Sequence, residues 1–452
     1  FEEPGVWKTL KRVLTYNKLE IRESPYLLSM ASTTLKPQPI DIDTKVILIG
    51  NQLIYAYLAE REYDFKKMFK VKADFDYEID RKNNILNEYA RVIKKLIKQE
   101  KLKEFDKSAI AHLLEISAII AGSQNKLSLR FSKIADIARE ASFWATDDGF
   151  NIVSAAHIEK AYQLSRERHG MLEDKVTEMY ENKTMLIDTD GERVGQINGL
   201  AVYNADFYSF GRPTRITATV SLGSGSIINV EREAGMSGRH YNKGVLIISG
   251  YFKETFGQDQ PLSFNANLVF EQSYGMVDGD SASCTEIFAL LSTLSGLPIK
   301  QSIAVTGSLN QKGDVQPIGG VNEKIEGFYD ICKLNGLTGD QGVIIPVQNI
   351  SDLMLREDII DAVKKNNFHI YPISRVEEGI EILTGVKAGR KSDSGYEEGT
   401  VFYLVEKKIM DLFEKSRAVR TSNNGKEKKR VSEKPVKSKK KKPSIKPKRR
   451  IK

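Results

Sequence analysis

Two short stretches hold residue types that could do chemistry together. The first is Asp278-Gly279-Asp280-Ser281-Ala282-Ser283, which runs directly into a helical pattern. A serine at a helix start lies beside unpaired backbone N–H groups and the positive end of the macrodipole. Such donors suit the negative oxygen that develops when a hydroxyl attacks a carbonyl. Gly279 lets backbone approach a substrate closely. The same residues also read as a plain helix start. Asp, Ser and Thr commonly cap helices, and Ser283-x-x-Glu286 has the spacing of a capping box. The segment is not a GxSxG elbow, and no His–Asp pair is placed by sequence to serve it.

The second stretch is Gln316-Pro317-Ile318-Gly319-Gly320-Val321-Asn322-Glu323-Lys324, a lysine in the first turn of a helix after a Gly-Gly lead-in. Burial would discharge that lysine readily, because desolvation disfavours the ammonium. A neutral amine is a competent general base for a serine hydroxyl. Without burial, a helical lysine between two glutamates is an ordinary solvated side chain. Cys284, three residues after Ser281, reads as a small core residue rather than a nucleophile.

The elements that must position these residues follow from hydrophobic period. Residues 7–19 read as a helix, and 45–50 (KVILIG) as a buried strand of the parallel-sheet kind. From 83 to 165 the pattern is helical. One helix carries Ile110, Leu113, Leu114 and Ile120, and a second Ile134, Ile137, Ala138 and Ala141. A third starts at Ser154, an N-cap. Residues 166–182 read as a helical connector. From 191 the period shortens, and 195–203, 215–222, 226–231, 245–252 and 263–271 read as strands. Helices follow over 281–295, 321–334, 352–364 and 376–383. Between them lie strands at 302–306, 315–318, 342–347 and 368–373.

Composition narrows the function classes. A chain of 452 residues predicts two to four domains, and 40% hydrophobic content supplies real cores. No run of 18 apolar residues exists, which argues against a membrane span, and no secretory signal is recognisable. The net charge of +8 suggests a polyanion-binding protein, yet it is unevenly placed. Residues 416–452 hold 17 Lys+Arg and 2 Asp+Glu, leaving 51 basic and 58 acidic residues in the rest. An acidic body disfavours nucleic-acid binding over the whole surface. The tail, poor in apolar residues, reads as disordered. It reads equally as a solvated extension or as an attachment to nucleic acid, and without aromatic residues any such contact would be to phosphate. Two cysteines make no disulfide framework or zinc site, which suggests a reducing, cytoplasmic setting. The five histidines show no HExxH spacing, so metal catalysis is not expected.

Together the two chemical stretches resemble the proteolytic domain of the Lon family, the Ser-Lys peptidases of the AAA+ class. The resemblance covers about 194–385 and includes GDSAS, then AVTGSLNQKGDVQPIGGVNEKIEGF over 304–328, then GVIIP. It implies that Ser281 is the nucleophile, Lys324 its base, Thr306 a strand residue hydrogen-bonding near the lysine, and Asp278 a neighbour of the site. Asp280 stands where a proline is common, and Ser283 where a glycine is usual. That variant is similar to the B-type and related branches. The resemblance also implies a homo-oligomer, a hexameric ring, cutting unfolded proteins and powered by ATP with Mg.

Residues 2–166 resemble the downstream part of the family's AAA+ module. Asn51 matches the sensor-1 position and Arg130 the sensor-2 arginine, although a turn asparagine and a surface arginine read as well. No GxxxxGK[ST] loop occurs, so this chain alone is not expected to hydrolyse ATP, and its non-Met start suggests a truncated protein. The expected fold is α+β: a partial AAA+ module (1–82 as α/β remnant, 83–168 as helical lid), a linker over 169–190 and a mixed α/β proteolytic domain over 191–386. A helical extension over 387–415 and the disordered basic tail over 416–452 complete it. The competing reading is a non-catalytic scaffold or chaperone-like ring, tethered to nucleic acid by the tail, which would bind substrates without cutting them.

Overall fold

The computed structural model describes residues 5–20, 37–205, 208–393 and 395–432. The chain forms two compact units, 1–76 and 77–452. The first holds helix α1 (Val6–Tyr16), the short pair β1 (Lys18–Leu19) and β2 (Ile40–Asp41), then α2 (Gln52–Arg61) and α3 (Phe65–Met68). Trp7, Tyr55, Phe65 and Phe69 cluster through their rings, and of these Phe65 is fully buried. The strand expected over 45–50 does not form: Ile47 and Ile49 are exposed. A parallel strand needs neighbours for its backbone groups. Among the described residues this unit has only the β1–β2 pair.

The second unit starts with the lid. It contains β3 (Glu78–Asp80), α4 (Asn83–Gln99), β4 (Glu104–Phe105), α5 (Lys107–Ala121), β5 (Lys126–Ser128), α6 (Phe131–Asp147), β6 (Ile152–Val153) and α7 (Ala155–His169). β3 pairs with β5, so residues 77–82 belong here and not to the preceding unit. Leu113 and Ile116 of α5 pack with Ile134 and Ala138 of α6 in one apolar core. Ser154 caps α7 in a reciprocal box with His157, whose Nδ1 accepts from the Ser154 amide at 3.0 Å. α8 (Met171–Glu181) occupies the expected linker. It is structural, because Tyr180 donates to the Pro213 carbonyl at 2.6 Å and Arg212 reaches Glu173 at 3.2 Å.

The remainder is a mixed α/β domain. Its elements are β7 (Glu192–Arg193), β8 (Gln196–Ala205), β9 (Tyr208–Leu222), β10 (Ser226–Asn229), α9 (Val230–Glu233), α10 (Arg239–Phe256) and β11 (Phe264–Phe270). Then come α11 (Ser283–Ser295), β12 (Ile299–Lys300), β13 (Ile303–Val305), β14 (Ser308–Leu309), β15 (Val315–Gln316), α12 (Val321–Asn335) and β16 (Gly342–Pro346). A 3₁₀ turn (Val347–Asp352), α13 (Glu357–Lys364), β17 (His369–Ile373), α14 (Val376–Thr384), the pair β18 (Lys391–Ser392) and β19 (Gly395–Tyr396), and α15 (Val401–Ser432) complete it.

Seven strands form one sheet in the order β10-β11-β9-β8-β13-β16-β17. β9 runs antiparallel to β8 and β11, whereas β8, β13, β16 and β17 are parallel neighbours. Side chains alternate between its faces. Ile303, Val305 and Ile344 enter the core that holds α10, α11, α14 and α15, while Ala304, Val343 and Ile345 enter the one that holds α12 and α13. α11 and α12 therefore lie on opposite faces of one sheet.

Further sequence expectations change, among them the helical extension over 387–415, which opens with the β18–β19 pair before its helix starts at Val401. Residues 245–252 belong to a helix, not a strand. Tyr241, Val245, Ile248 and Phe252 recur at helical spacing and are buried, so amphipathicity overrides the strand bias of Val and Ile. The helix expected over 352–364 starts later, at Glu357, after the 3₁₀ turn. The last helix runs to Ser432, beyond the end expected at 415. Expectations for 433–452 fall outside the described residues.

Candidate active site

The parallel strand β13 ends where the two helices converge. Thr306 follows directly, and its amide donates to the Ile344 carbonyl at 3.1 Å, continuing the ladder. Ser281 lies in the turn just before α11. It is not in the first turn, where the sequence pattern put it. The turn is fastened to the strand end three times: Gly307 N–H donates to the Ser281 carbonyl at 2.8 Å, Thr306 Oγ1 to the same carbonyl at 3.3 Å, and Cys284 N–H to the Gly307 carbonyl at 3.1 Å. Gly279 permits the bend with φ +95°, a conformation unfavourable for other residues.

Lys324 comes from the other face of the sheet. α12 rests on β9 through bare backbone. A Cβ on Gly211 would lie 1.9 Å from the Glu323 carbonyl oxygen, and one on Gly327 1.9 Å from the Gly211 carbonyl oxygen. Any side chain at either glycine would push α12, and Lys324 with it, away from the sheet.

The two helices bring three side chains together. Lys324 Nζ donates to Ser281 Oγ at 3.0 Å and to Thr306 Oγ1 at 3.0 Å. Lys324 is 3% exposed, whereas Ser281 is half-buried and reachable. Burial lowers the lysine to about 8, against the opposing pull of the Glu323 and Asp280 carboxylates. At pH 7 roughly a tenth of the molecules then carry a neutral amine. Asp280 was recognisable in the sequence only as a departure from the usual proline, yet it is a charged neighbour of the lysine.

The amides at the helix start are only partly available. Ser283 N–H donates to the Asp280 carbonyl and Cys284 N–H to Gly307. Among the described residues, the amides of Asp280, Ser281 and Ala282 make no hydrogen bond. The expected capping box is not formed. Ser283 Oγ donates to the Asp280 carbonyl at 2.8 Å, and Glu286 turns inward to Tyr241 and Asn229. Cys284 is fully buried, and desolvation pushes its thiol pKa up, as suits a core residue.

The remaining sequence candidates lie elsewhere. Asp278 contacts neither Ser281 nor Lys324 through hydrogen bonds. Its carboxylate accepts the amides of Gly279 (2.8 Å), His240 (3.1 Å) and Tyr241 (3.2 Å), which hold it below the usual carboxylate range. Asn51 is exposed, and its side chain caps α2 by accepting from the Ile54 amide at 2.9 Å. Arg130 is exposed at the start of α6, with its guanidinium 6.0 Å from the Tyr77 ring centre. It lines a cleft of about 1900 Å³ between the lid and the α/β domain, whose lining includes neither Ser281 nor Lys324. The Asn51 side chain is thus engaged as a cap within its own unit. Among the described residues there is no cluster of His, Cys, Asp or Glu suited to a metal, and no helix is long and apolar enough to cross a membrane.

A serine hydroxyl bonded to a buried, partly neutral lysine at the end of a parallel strand is the class of site found in Ser-Lys hydrolases. Comparison with known proteins identifies the family. Residues 1–76 match the profile of the LonB-like AAA domain, 104–168 that of the archaeal LonB AAA+ ATPase LID domain, and 271–385 that of the Lon protease (S16) C-terminal proteolytic domain. The chain is 36% identical over 352 residues to a putative Lon protease homolog of Haemophilus influenzae, covering 76% of this chain and 57% of that protein. It is 32% identical over 389 residues to a putative Lon protease homolog of Escherichia coli, with 84% and 64% covered. An archaeal Lon protease of Archaeoglobus fulgidus is 32% identical over 292 residues, with 64% and 44% covered. The chain belongs to the Lon protease family. It spans 57% and 64% of the length of the two bacterial relatives.

Proposed function

We propose that this chain is a serine endopeptidase using Ser281 as nucleophile and Lys324 as general base. The observation that carries the reading is the 3.0 Å hydrogen bond between Lys324 Nζ and Ser281 Oγ, made by a lysine that is 3% exposed. Neutral Lys324 takes the hydroxyl proton as Oγ attacks the carbonyl carbon of a peptide. The free amides of Asp280, Ser281 and Ala282 face the requirement for oxyanion donors. Lys324, now an ammonium, returns the proton to the departing amine. Water then attacks the acyl-enzyme, losing a proton to Lys324; as the acyl C–O bond breaks, Lys324 returns that proton to Ser281 Oγ and the carboxylic acid is freed. Thr306 Oγ1 holds the amine in line between these transfers.

Substrates in this reading are unfolded proteins, cut within a hexameric, cytoplasmic ring. ATP with Mg would drive their delivery through an AAA+ module, with Asn51 and Arg130 as its sensors, and no step above depends on it. The test is cleavage of a fluorogenic unfolded protein by this chain and by Ser281→Ala. Cleavage is expected to disappear while circular dichroism stays unchanged. Equal turnover by the variant would remove the assignment.

A further inference from the structure

Ser281 must hold its hydroxyl within hydrogen-bond reach of a lysine on another helix, so the turn that carries it has to be fixed. β13 fastens one side of that turn. The other side faces the start of α10, where a single residue, Tyr241, meets the chain both before and after Ser281. Its backbone N–H donates to Asp278 Oδ1 at 3.2 Å, and its phenol donates to Glu286 Oε1 at 2.5 Å. Asp278 precedes the nucleophile, and Glu286 lies in the first turn of α11 behind it.

The rest of the contact is closely fitted. A Cβ on Gly244, one turn further along α10, would lie 2.7 Å from Ser283 Oγ and 3.5 Å from the Asp280 Cβ. One on Gly238 would run into the Asp278 carboxylate at 2.2 Å. Gly238 N–H donates to the Val277 carbonyl at 2.8 Å, and Val277 N–H to the Met236 carbonyl at 3.0 Å. Asn229, the cap of α9, donates to Glu286 Oε1 at 3.1 Å and also contacts the Tyr241 hydroxyl. Tyr241, Glu286 and Asn229 are each 1% exposed. A polar cluster so buried, in an otherwise apolar interface, is costly unless fully paired, and it specifies one geometry.

We infer that Tyr241 is a positioning residue for Ser281, a two-ended clamp that holds residues 278–286 against α10. The inference rests on the Ser281–Lys324 reading above. Deleting the hydroxyl leaves the Asp278 end intact and removes α10's hold on Glu286, which then keeps only its bond from Asn229. The turn then has freedom where an ångström of drift is enough to break the contact with Lys324.

The test compares this chain with Tyr241→Phe and Glu286→Gln, which keeps an acceptor for the phenol. Three quantities are read: kcat and KM on a fluorogenic unfolded protein, the rate of covalent labelling of Ser281 by a fluorophosphonate per folded molecule, and the melting temperature. Tyr241→Phe is expected to lower kcat and labelling on the order of tenfold with KM unchanged, and Glu286→Gln to stay within about twofold of the parent. Labelling of folded Tyr241→Phe at the parent rate overturns the clamp, even if its melting point falls, because the cluster then only stabilises the fold. If Tyr241→Phe does not fold, Glu286→Gln decides alone, and a tenfold loss there overturns the inference. Active parent whose turnover survives Ser281→Ala overturns the dyad reading itself, and the clamp with it.

Discussion

The Ser281–Lys324 pair and the Asn51–Arg130 pair are both polar residues marked by motif position, and the molecule treats them in opposite ways. Lys324 is buried and reached from two other elements, the turn before α11 and the end of β13. Asn51 and Arg130 are exposed, each at the start of a single helix. Burial moves the lysine into the range where it can exchange a proton near neutral pH. An exposed group stays screened by water and salt. Of the two pairs, only the first is joined by a direct hydrogen bond and desolvated at its basic end. The second has the surroundings of caps and surface charges.

That contrast can be broken experimentally, beginning with its largest expected effect. Ser281→Ala should reduce peptide cleavage by at least about 10³-fold without lowering the melting temperature. Residual cleavage near the parent rate would transfer the chemistry elsewhere.

Lys324→Met should abolish cleavage to a similar degree and also make the protein more stable. The lysine's folded value is lowered from 10.5 to about 8, so below pH 8 the native state keeps a charge that burial disfavours. This penalty is at most about 3 kcal/mol, and lost hydrogen bonds offset part of it, leaving a gain of about 1 kcal/mol at pH 7. The sign follows from the depressed base: parent stability recovers as pH climbs from about 8 towards 10.5, and the variant's advantage should shrink over that window. Urea unfolding at pH 7 and pH 10 measures it. An advantage that widens at pH 10 would contradict the burial argument.

The same lowered value predicts that acylation of Ser281 by a fluorophosphonate rises roughly tenfold per pH unit below about 8, then levels off. Thr306→Val removes an acceptor that favours the ammonium. It should slow acylation by about tenfold and move the midpoint to lower pH. A midpoint displaced upward would show that Thr306 does not act on the amine.

The smallest effects belong to the exposed pair. Asn51→Ala should cost the first unit about 1 kcal/mol through loss of the α2 cap, and Arg130→Ala should leave Ser281 labelling unchanged. A large loss of labelling in either variant would erase the distinction between the pairs.

Legibility in the sequence follows the same division. The helical period of 281–295 and 321–334, the apolar runs at 303–305 and 342–346, and the order of the two motifs were readable because each is a local pattern. Val245, Ile247 and Ile248 misled, since short β-branched runs fit a strand or a buried helix equally. KVILIG misled for the opposite reason: its composition suits a parallel strand, but pairing partners decide whether one forms. Glu286 carried a faint signal as an acid in an apolar helix. Its partners Tyr241 and Asn229 carried none, because 45 and 57 residues separate them from it.

What the sequence determined by itself is the inventory: a serine before one helix, a lysine inside the first turn of another, a threonine after a strand, and glycines without which the backbones could not touch. Those are matters of residue type and short-range period. Whether Lys324 is a solvated or a desolvated side chain was decided only by the tertiary structure. Its helix lies on one face of the sheet and the serine's helix on the other. Their meeting at the end of β13 removes water from the amine, and desolvation, an effect of everything packed around it, lowers its affinity for a proton.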